Sequence, residues 1–232
     1  MMLRYLQQQQ NKLMSEANDF YTSRGTHVYI KDPLISDEID LEKVVANLES
    51  AVPEHLLSEL EMIIVGWFDE FEERGINAFY KDGILHVSNI QDDEADLYDD
   101  LVHETSHSIE SVYGYDIYGD HKVKNEFLEK REYLYNILTS MGYNIPKKYF
   151  LNAEYDKKFD SILLNDIGYD KLQTICQGLF VNPYGATSLR EYFATGFTDF
   201  YLHPDHSYLK RVSPELYKKL LLLHDPKKLD NQ

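Results

Sequence analysis

Short apolar runs separated by turn-forming residues dominate positions 20–90 of the chain. Residues 26–31 are rich in β-branched and aromatic side chains, and residues 61–67 form a second such run, so both predict strands. Residues 77–80 and 83–88 flank a glycine-containing turn, which predicts a hairpin. We expect these segments to form a small, mostly antiparallel sheet in which Met62–Trp67 is the exposed edge strand.

Apolar residues recur at helical spacing elsewhere in the sequence. Residues 37–60 predict two helices, the second beginning at Pro53. From Asp92 onward the spacing of Leu97 and Leu101 predicts a long helix that ends at Gly114. Further helices are predicted over 121–141, 146–164, 168–180, 188–202 and 213–224, and a frayed helix over residues 1–20. An early sheet followed by mostly helices predicts an α+β fold.

Composition narrows the class of protein. The 232 residues suffice for one domain, predicted over 21–228 after a polar extension at 1–20. A net charge of −17 disfavours nucleic acid as a partner. The single cysteine, Cys176, is expected to be a small core residue. With no apolar stretch of signal-peptide or membrane-span length, we expect a soluble cytoplasmic protein without membrane insertion, or one acting in a host cytoplasm if phage-encoded or delivered.

One pentapeptide in the long predicted helix has the residue types and spacing of a metal site: His103-Glu104-Thr105-Ser106-His107. Histidines four apart on a helix share one face, so both imidazoles can reach one zinc ion. Glu104 can then take a proton from a zinc-bound water that attacks a peptide carbonyl. The alternative is a solvated helix face, but apolar residues on both sides of the motif favour a partly buried helix and a metal site.

A hydrolytic zinc site needs a third protein ligand and one open position. Glu191 is a candidate because it lies among apolar neighbours, where an unpaired carboxylate would be costly. Other glutamates compete with it from highly charged stretches: Glu126, Glu129, Glu132 and Glu154. The residues alone leave this choice open.

Two segments, 103–110 and 184–194, together resemble the lethal factor catalytic-domain family of zinc peptidases, which includes that domain of anthrax toxin, and the related Pro-Pro endopeptidases. In that family an HExxH helix is paired with a later tyrosine that precedes a glutamate by seven residues, as here. Residues 61–90 and 203–217 are similar to the looser frame of the family, so the resemblance covers about residues 60–224. It implies a zincin-like metallopeptidase fold, largely helical, with a small sheet and an edge strand.

The resemblance also implies residue roles. His103, His107 and Glu191 would be zinc ligands, and Glu104 the general base. Tyr184 would stabilise the oxyanion that forms on the substrate carbonyl; the alternative for Tyr184 is a packing residue in a turn.

Three positions near the motifs are Glu110, Ser106 and Thr195. Glu110 lies on or near the metal face and would orient a ligand imidazole, or else is a surface acid. Ser106 stands where the family commonly has glycine, and Thr195 where it commonly has an acid that braces a ligand histidine.

The sequence therefore predicts a zinc-dependent endopeptidase that acts on a protein or peptide substrate. The alternative is a catalytically silent protein-binding module on the same scaffold. The sequence contains no information on the oligomeric state.

Overall fold

Five short strands between residues 19 and 87 form one sheet in the computed structural model, which describes residues 19–225 and 227. The strands are β1 Asp19–Tyr21, β2 His27–Ile30, β3 Met62–Val65, β4 Ala78–Lys81 and β5 Ile84–Val87. Their order across the sheet is β1-β2-β3-β5-β4. The predicted strands at 26–31 and 61–67 are confirmed, whereas β1 was not predicted.

The sheet is mixed, so the prediction of a mostly antiparallel sheet is wrong. β1 and β2 pair antiparallel, as do β4 and β5, but β3 is parallel to both β2 and β5. Parallel neighbours need a crossover of a dozen or more residues. Long connections before and after β3 bring the chain back to the same end of the sheet.

The prediction that Met62–Trp67 forms the edge strand is also wrong. β3 within this segment is the central strand, and its Ile63 and Val65 are fully buried. A continuous apolar run of this kind is typical of a strand covered on both faces. The edges of the sheet are β1 and β4 instead.

The predicted hairpin is confirmed by the antiparallel pairing of β4 and β5. Asp82 and Gly83 connect the strands with φ angles of 50° and 84°. Two successive residues in this left-handed region form the turn whose twist matches that of paired strands.

Two helices and a short turn connect the strands. Helix α1 spans Leu41–Ala51 and is capped by the side chain of Asp40, which accepts from the N–H of Lys43. A single 3-10 turn, Glu54–Leu56, follows Pro53, and helix α2 spans Asp69–Arg74. The helical prediction over 37–60 is therefore confirmed in part, and α2 was not predicted.

Helix α3, Glu94–Tyr118, is the longest in the described part of the chain. The predicted stop at Gly114 is wrong, because a glycine inside a helix weakens it by only about 1 kcal/mol relative to alanine. The helix instead ends before Gly119, where a Cβ atom would lie 2.6 Å from the carbonyl oxygen of Tyr115. The chain divides into two compact units between Ser108 and Ile109, within this helix.

The second unit is helical over its described residues. Its helices are α4 Lys122–Ser140, α5 Lys147–Leu151, α6 Lys157–Ser161, α7 Tyr169–Ile175, α8 Leu189–Leu202, α9 Ser207–Val212 and α10 Pro214–His224. A π-helical stretch, Ile162–Ile167, continues α6, and a 3-10 turn, Pro183–Ala186, precedes α8. The helices predicted at 121–141, 188–202 and 213–224 are confirmed. The one predicted over 146–164 is interrupted between α5 and α6, 168–180 is shorter than predicted, and α9 was missed.

The ends of the chain and the number of domains stay predictions. The frayed helix at residues 1–20 falls mostly outside the described residues, although Asp19 and Phe20 belong to β1. The single domain over 21–228 is untested. Across residues 19–225 and 227, no helix is both long and apolar enough to cross a membrane.

Candidate metal centre

The two histidines of the motif lie on one face of helix α3. His103 and His107 are one helical turn apart, and their ring centres are separated by 5.3 Å. Both side chains are partly exposed, whereas Leu101 and Val102 of the same helix are fully buried. The packing of the apolar face therefore fixes the helix while the imidazoles remain accessible.

Small hydroxyl side chains fill the buried back of this helix segment. Thr105, Ser106 and Ser108 are fully buried. Their hydroxyls donate to carbonyls of their own helix, those of Leu101, His103 and Thr105 respectively. Each buried hydroxyl is thus paired locally. Ser106, which stands where the resembled family commonly has glycine, is accommodated in this way.

Glu104, the predicted general base, is bonded to the edge strand of the sheet. The main-chain N–H of Tyr80 in β4 donates to Oε2 of Glu104 over 2.9 Å. Tyr80 is held in turn by its hydroxyl, which donates to the carbonyl of Glu59 and accepts from the N–H of Gly83. A charge-assisted bond from a fixed strand restricts the carboxylate to one orientation.

Asp100 lies one helical turn before Glu104, and sequence analysis did not single it out. Burial raises the pKa of its carboxyl to about 7, although the hydrogen bond from the Gln91 side chain acts in the opposite direction. Gln91 Nε2 donates to Oδ2 of Asp100 over 3.1 Å. Asp100 therefore changes charge near neutral pH. The acidic run around it in the sequence gave no sign of this burial.

Glu191 lies in the first turn of helix α8. The Oγ atom of Ser188 caps this helix by accepting from the N–H of Glu191 over 3.2 Å. A carboxylate in this position is stabilised by the positive end of the helix dipole. The neighbouring Arg190 donates from Nε to Oε2 of Glu110 over 2.6 Å.

Glu110 is a largely buried carboxylate that bonds to an arginine and to a tyrosine. Its side chain is only 11% exposed, and it pairs with Arg190. The hydroxyl of Tyr118 donates to its other oxygen over 2.5 Å. Glu110 is therefore not a solvated surface acid, and its predicted role in orienting an imidazole stays a prediction.

Tyr184 lies in the 3-10 turn that precedes helix α8. Asn182 caps this turn, and its Oδ1 accepts from the N–H of Tyr184 over 2.8 Å. Burial, and after it the carboxylate of Glu191, raises the pKa of the Tyr184 phenol well above its usual value. The phenol is therefore a neutral hydrogen-bond donor throughout the physiological pH range.

A buried arginine holds the end of this turn. Arg131 Nη1 donates to the carbonyl oxygens of Ala186 and Thr187 over 2.7 and 3.2 Å, and Nη2 donates to that of Tyr149. Burial lowers the pKa of Arg131 to about 9, so the side chain is still charged at neutral pH. Sequence analysis missed Arg131, since a Lys-Arg pair in a charged helix gives no sign of burial.

Thr195, which stands where the resembled family commonly has an acid, packs against the same turn. Its hydroxyl donates to the carbonyl of Glu191 over 2.8 Å. A Cβ atom added at Gly185 would lie 2.5 Å from the Thr195 Oγ1. The close approach of the turn to helix α8 therefore requires glycine at position 185.

The four glutamates that compete with Glu191 are engaged elsewhere or exposed. Glu126 accepts from the hydroxyl of Tyr192 and from the first N–H groups of helix α10, which it therefore caps. Glu132 pairs with Lys147 at the surface. The remaining two, Glu129 and Glu154, are exposed.

Among the described residues, one group of histidine, cysteine or acidic side chains has its ligand atoms close enough to hold a metal ion. It comprises His103, His107 and Glu191, whose ligand atoms all lie within 4.8 Å of one another. Ligand atoms around tetrahedral zinc are about 3.3 Å apart, so small side-chain rotations suffice. Two imidazoles and a carboxylate are a donor set that zinc accepts in hydrolases, so these residues fit the metal.

The lone thiol, Cys176, is buried as predicted. Burial raises its pKa to about 12, which makes it a poor nucleophile.

No protein-family model, curated protein or solved structure shows a significant match to this chain.

Proposed function

We propose that the chain is a zinc-dependent endopeptidase with a zincin-like fold, related to the lethal factor catalytic-domain family. The observation that carries the proposal is the approach of His103, His107 and Glu191 to within 4.8 Å of one another. These are the three side chains that the HExxH motif and the family resemblance single out. Bound zinc would supply Lewis acidity, polarising the substrate carbonyl and acidifying water.

The chain's own residues transfer the proton and stabilise the oxyanion. Glu104 accepts the proton of the attacking water, with its carboxylate oriented by the N–H of Tyr80. Tyr184 donates its hydroxyl to the oxygen of the substrate carbonyl, where negative charge develops. Because the pKa of this phenol is raised, the donor keeps its proton at neutral pH.

The substrate class is a protein or peptide rather than nucleic acid, which the net charge of −17 repels. The cytoplasm, of the producing cell or of a host, is the proposed site of action. An extended peptide would bind along β4, since this strand is an edge of the sheet and holds the proposed base.

The test combines metal analysis with a peptide library. We expect the purified protein to bind one zinc ion per chain and to cleave peptides of a mixed library, with 1,10-phenanthroline abolishing cleavage. Glu104→Gln should keep the zinc and lose about 10²–10⁴-fold in kcat. The matched control is Glu129→Gln, an exposed glutamate, which should change neither property.

Two results would contradict different parts of the proposal. Cleavage by Glu104→Gln at the wild-type rate would exclude it as the base. A protein that binds zinc but cleaves no peptide would favour the catalytically silent binding module.

A further inference from the structure

An ion pair joins the second half of helix α3 to the first turn of helix α8. Oε2 of Glu110 accepts from Nε of Arg190 over 2.6 Å, and its other oxygen accepts from the hydroxyl of Tyr118 over 2.5 Å. The two partners differ in exposure, since the Glu110 side chain is 11% exposed and that of Arg190 is 59% exposed. A buried carboxylate therefore holds one edge of a guanidinium group that lies at the surface.

Arg190 is the chain neighbour of a proposed zinc ligand. It precedes Glu191 in the first turn of helix α8. Burial lowers the pKa of Arg190, but the carboxylates of Glu110 and, after it, Glu191 outweigh this effect, so that the pKa is raised overall. The guanidinium charge and the Glu191 carboxylate are therefore within electrostatic reach of each other.

A cation is poorly suited to this position in the molecule. The first turn of a helix carries a partial positive charge, which favours carboxylates and disfavours a guanidinium group. A guanidinium beside Glu191 also attracts the carboxylate that zinc needs and repels the zinc ion itself. The charge of Arg190 would therefore oppose metal binding if no counter-charge held it.

We propose that Glu110 is a positioning residue of the metal centre, which binds Arg190 and thereby prevents its guanidinium from competing with zinc for Glu191. This inference rests on the proposed zinc site. Glu110 acts through Arg190, and its carboxylate supplies the charge that cancels the cation. The hydroxyl of Tyr118 restrains the carboxylate through its other oxygen, so that the acceptor of the guanidinium has one orientation.

The role predicted from sequence for Glu110, orienting a ligand imidazole, has a different consequence. An acid that orients a histidine is needed whether or not Arg190 is charged. A counter-charge is needed only while the cation is present. Removal of the guanidinium therefore separates the two mechanisms.

The test measures the affinity of the metal-free protein for zinc by competition with a chromophoric chelator. We expect Glu110→Gln to weaken zinc binding about ten- to 100-fold, as loss of a residue that supports a ligand does. Glutamine keeps the size of the side chain and can still accept from Tyr118, but it leaves the guanidinium without its counter-charge. The matched control is Glu132→Gln, which removes a carboxylate from another 2.6 Å ion pair, with Lys147, and should leave the affinity unchanged.

Two further variants determine the sign of the charge effect. Arg190→Gln removes the cation, so we expect zinc affinity to be unchanged or higher. In the double variant Glu110→Gln/Arg190→Gln, zinc affinity should return to within about threefold of the wild type, because neither charge remains. A merely structural ion pair would lower the melting temperature in both single variants, but it would not restore zinc affinity in the double variant.

Three results would overturn the role of Glu110: unchanged zinc affinity in Glu110→Gln, weaker zinc binding in Arg190→Gln, or a double variant as weak as Glu110→Gln. The last would favour a direct action of Glu110 on an imidazole. Because the Arg190 side chain is largely exposed, Arg190→Gln tests the sign of the effect even if Glu110→Gln does not fold. A wild type that binds no zinc overturns the proposed function as well, whereas zinc binding by the wild type confines the failure to Glu110.

Discussion

The two segments that supply the proposed ligands are held by different kinds of interaction. In helix α3, the relative placement of His103 and His107 follows from one turn of helix, and the hydroxyls behind them bond within the same helix. The segment 182–191 instead relies on residues distant in sequence, above all Arg131. The histidine pair is thus a local property of the chain, whereas the segment of Tyr184 and Glu191 combines local caps from Asn182 and Ser188 with a tertiary contact from Arg131.

Removing Arg131 should have the largest effect, because Arg131 holds the segment 182–191 from a distant helix. Arg131→Met leaves buried carbonyls of Tyr149, Ala186 and Thr187 without their donor, and we expect a loss of about 3–5 kcal/mol in unfolding free energy. Urea unfolding measures this loss. Arg211→Met, which removes an exposed arginine, should cost less than about 0.5 kcal/mol. Equal losses in the two variants would contradict the support role.

Removing the non-local ligand should leave the histidine pair in place but insufficient. We expect Glu191→Gln to weaken zinc binding more than about 100-fold, because loss of residues that merely support a ligand already costs 10–100-fold. Competition with a chromophoric chelator measures the affinity. Glu154→Gln, at an exposed glutamate, is the control. Unchanged zinc affinity in Glu191→Gln would mean that one of the competing glutamates, and not Glu191, is the third ligand.

In helix α3, which carries the histidine pair, Asp100 should make the free energy of unfolding depend on pH. Its folded pKa of about 7 lies above the unfolded value near 4, so the folded state binds more protons between these values. The contribution of Asp100 to stability is therefore complete below about pH 4 and is lost as the pH rises to about 7. The full shift corresponds to about 4 kcal/mol, and we expect about half because burial is incomplete.

Asp100→Asn provides the comparison for this titration. The Asn side chain can still accept from Gln91 but cannot ionise, so the variant should lack this pH-dependent loss. Unfolding free energies of both proteins at pH 4.5 and 7.5 measure the difference. If the wild type and Asp100→Asn lose stability in parallel, then Asp100 is not the titrating group.

The smallest effect is expected from the two residues that cap helices α1 and α8. Ser188→Ala and Asp40→Ala each remove the side chain that accepts from the third residue of a helix, and each should cost about 1 kcal/mol. Only Ser188 bonds to the main chain of a proposed ligand, Glu191. We therefore expect Ser188→Ala alone to weaken zinc binding, by less than about tenfold. A comparable loss of zinc affinity in Asp40→Ala would remove the distinction.

Sequence periodicity predicted those features that depend on neighbours along the chain. The strands β2 and β3, the hairpin and helices α3, α4, α8 and α10 were found because alternation and helical spacing are local signals. The pair His103 and His107 was found for the same reason. Glu191 was one candidate among five until the family resemblance and then the structure favoured it.

Tertiary structure alone decided the rest. The apolar run at Met62–Val65 is typical of a covered strand, but its central place in the sheet is decided by its two parallel partners, β2 and β5. Burial of Arg131 and Asp100 arises where distant segments exclude water from polar side chains. Because the energetic cost of a buried polar group depends on its three-dimensional surroundings, residue spacing cannot reveal it.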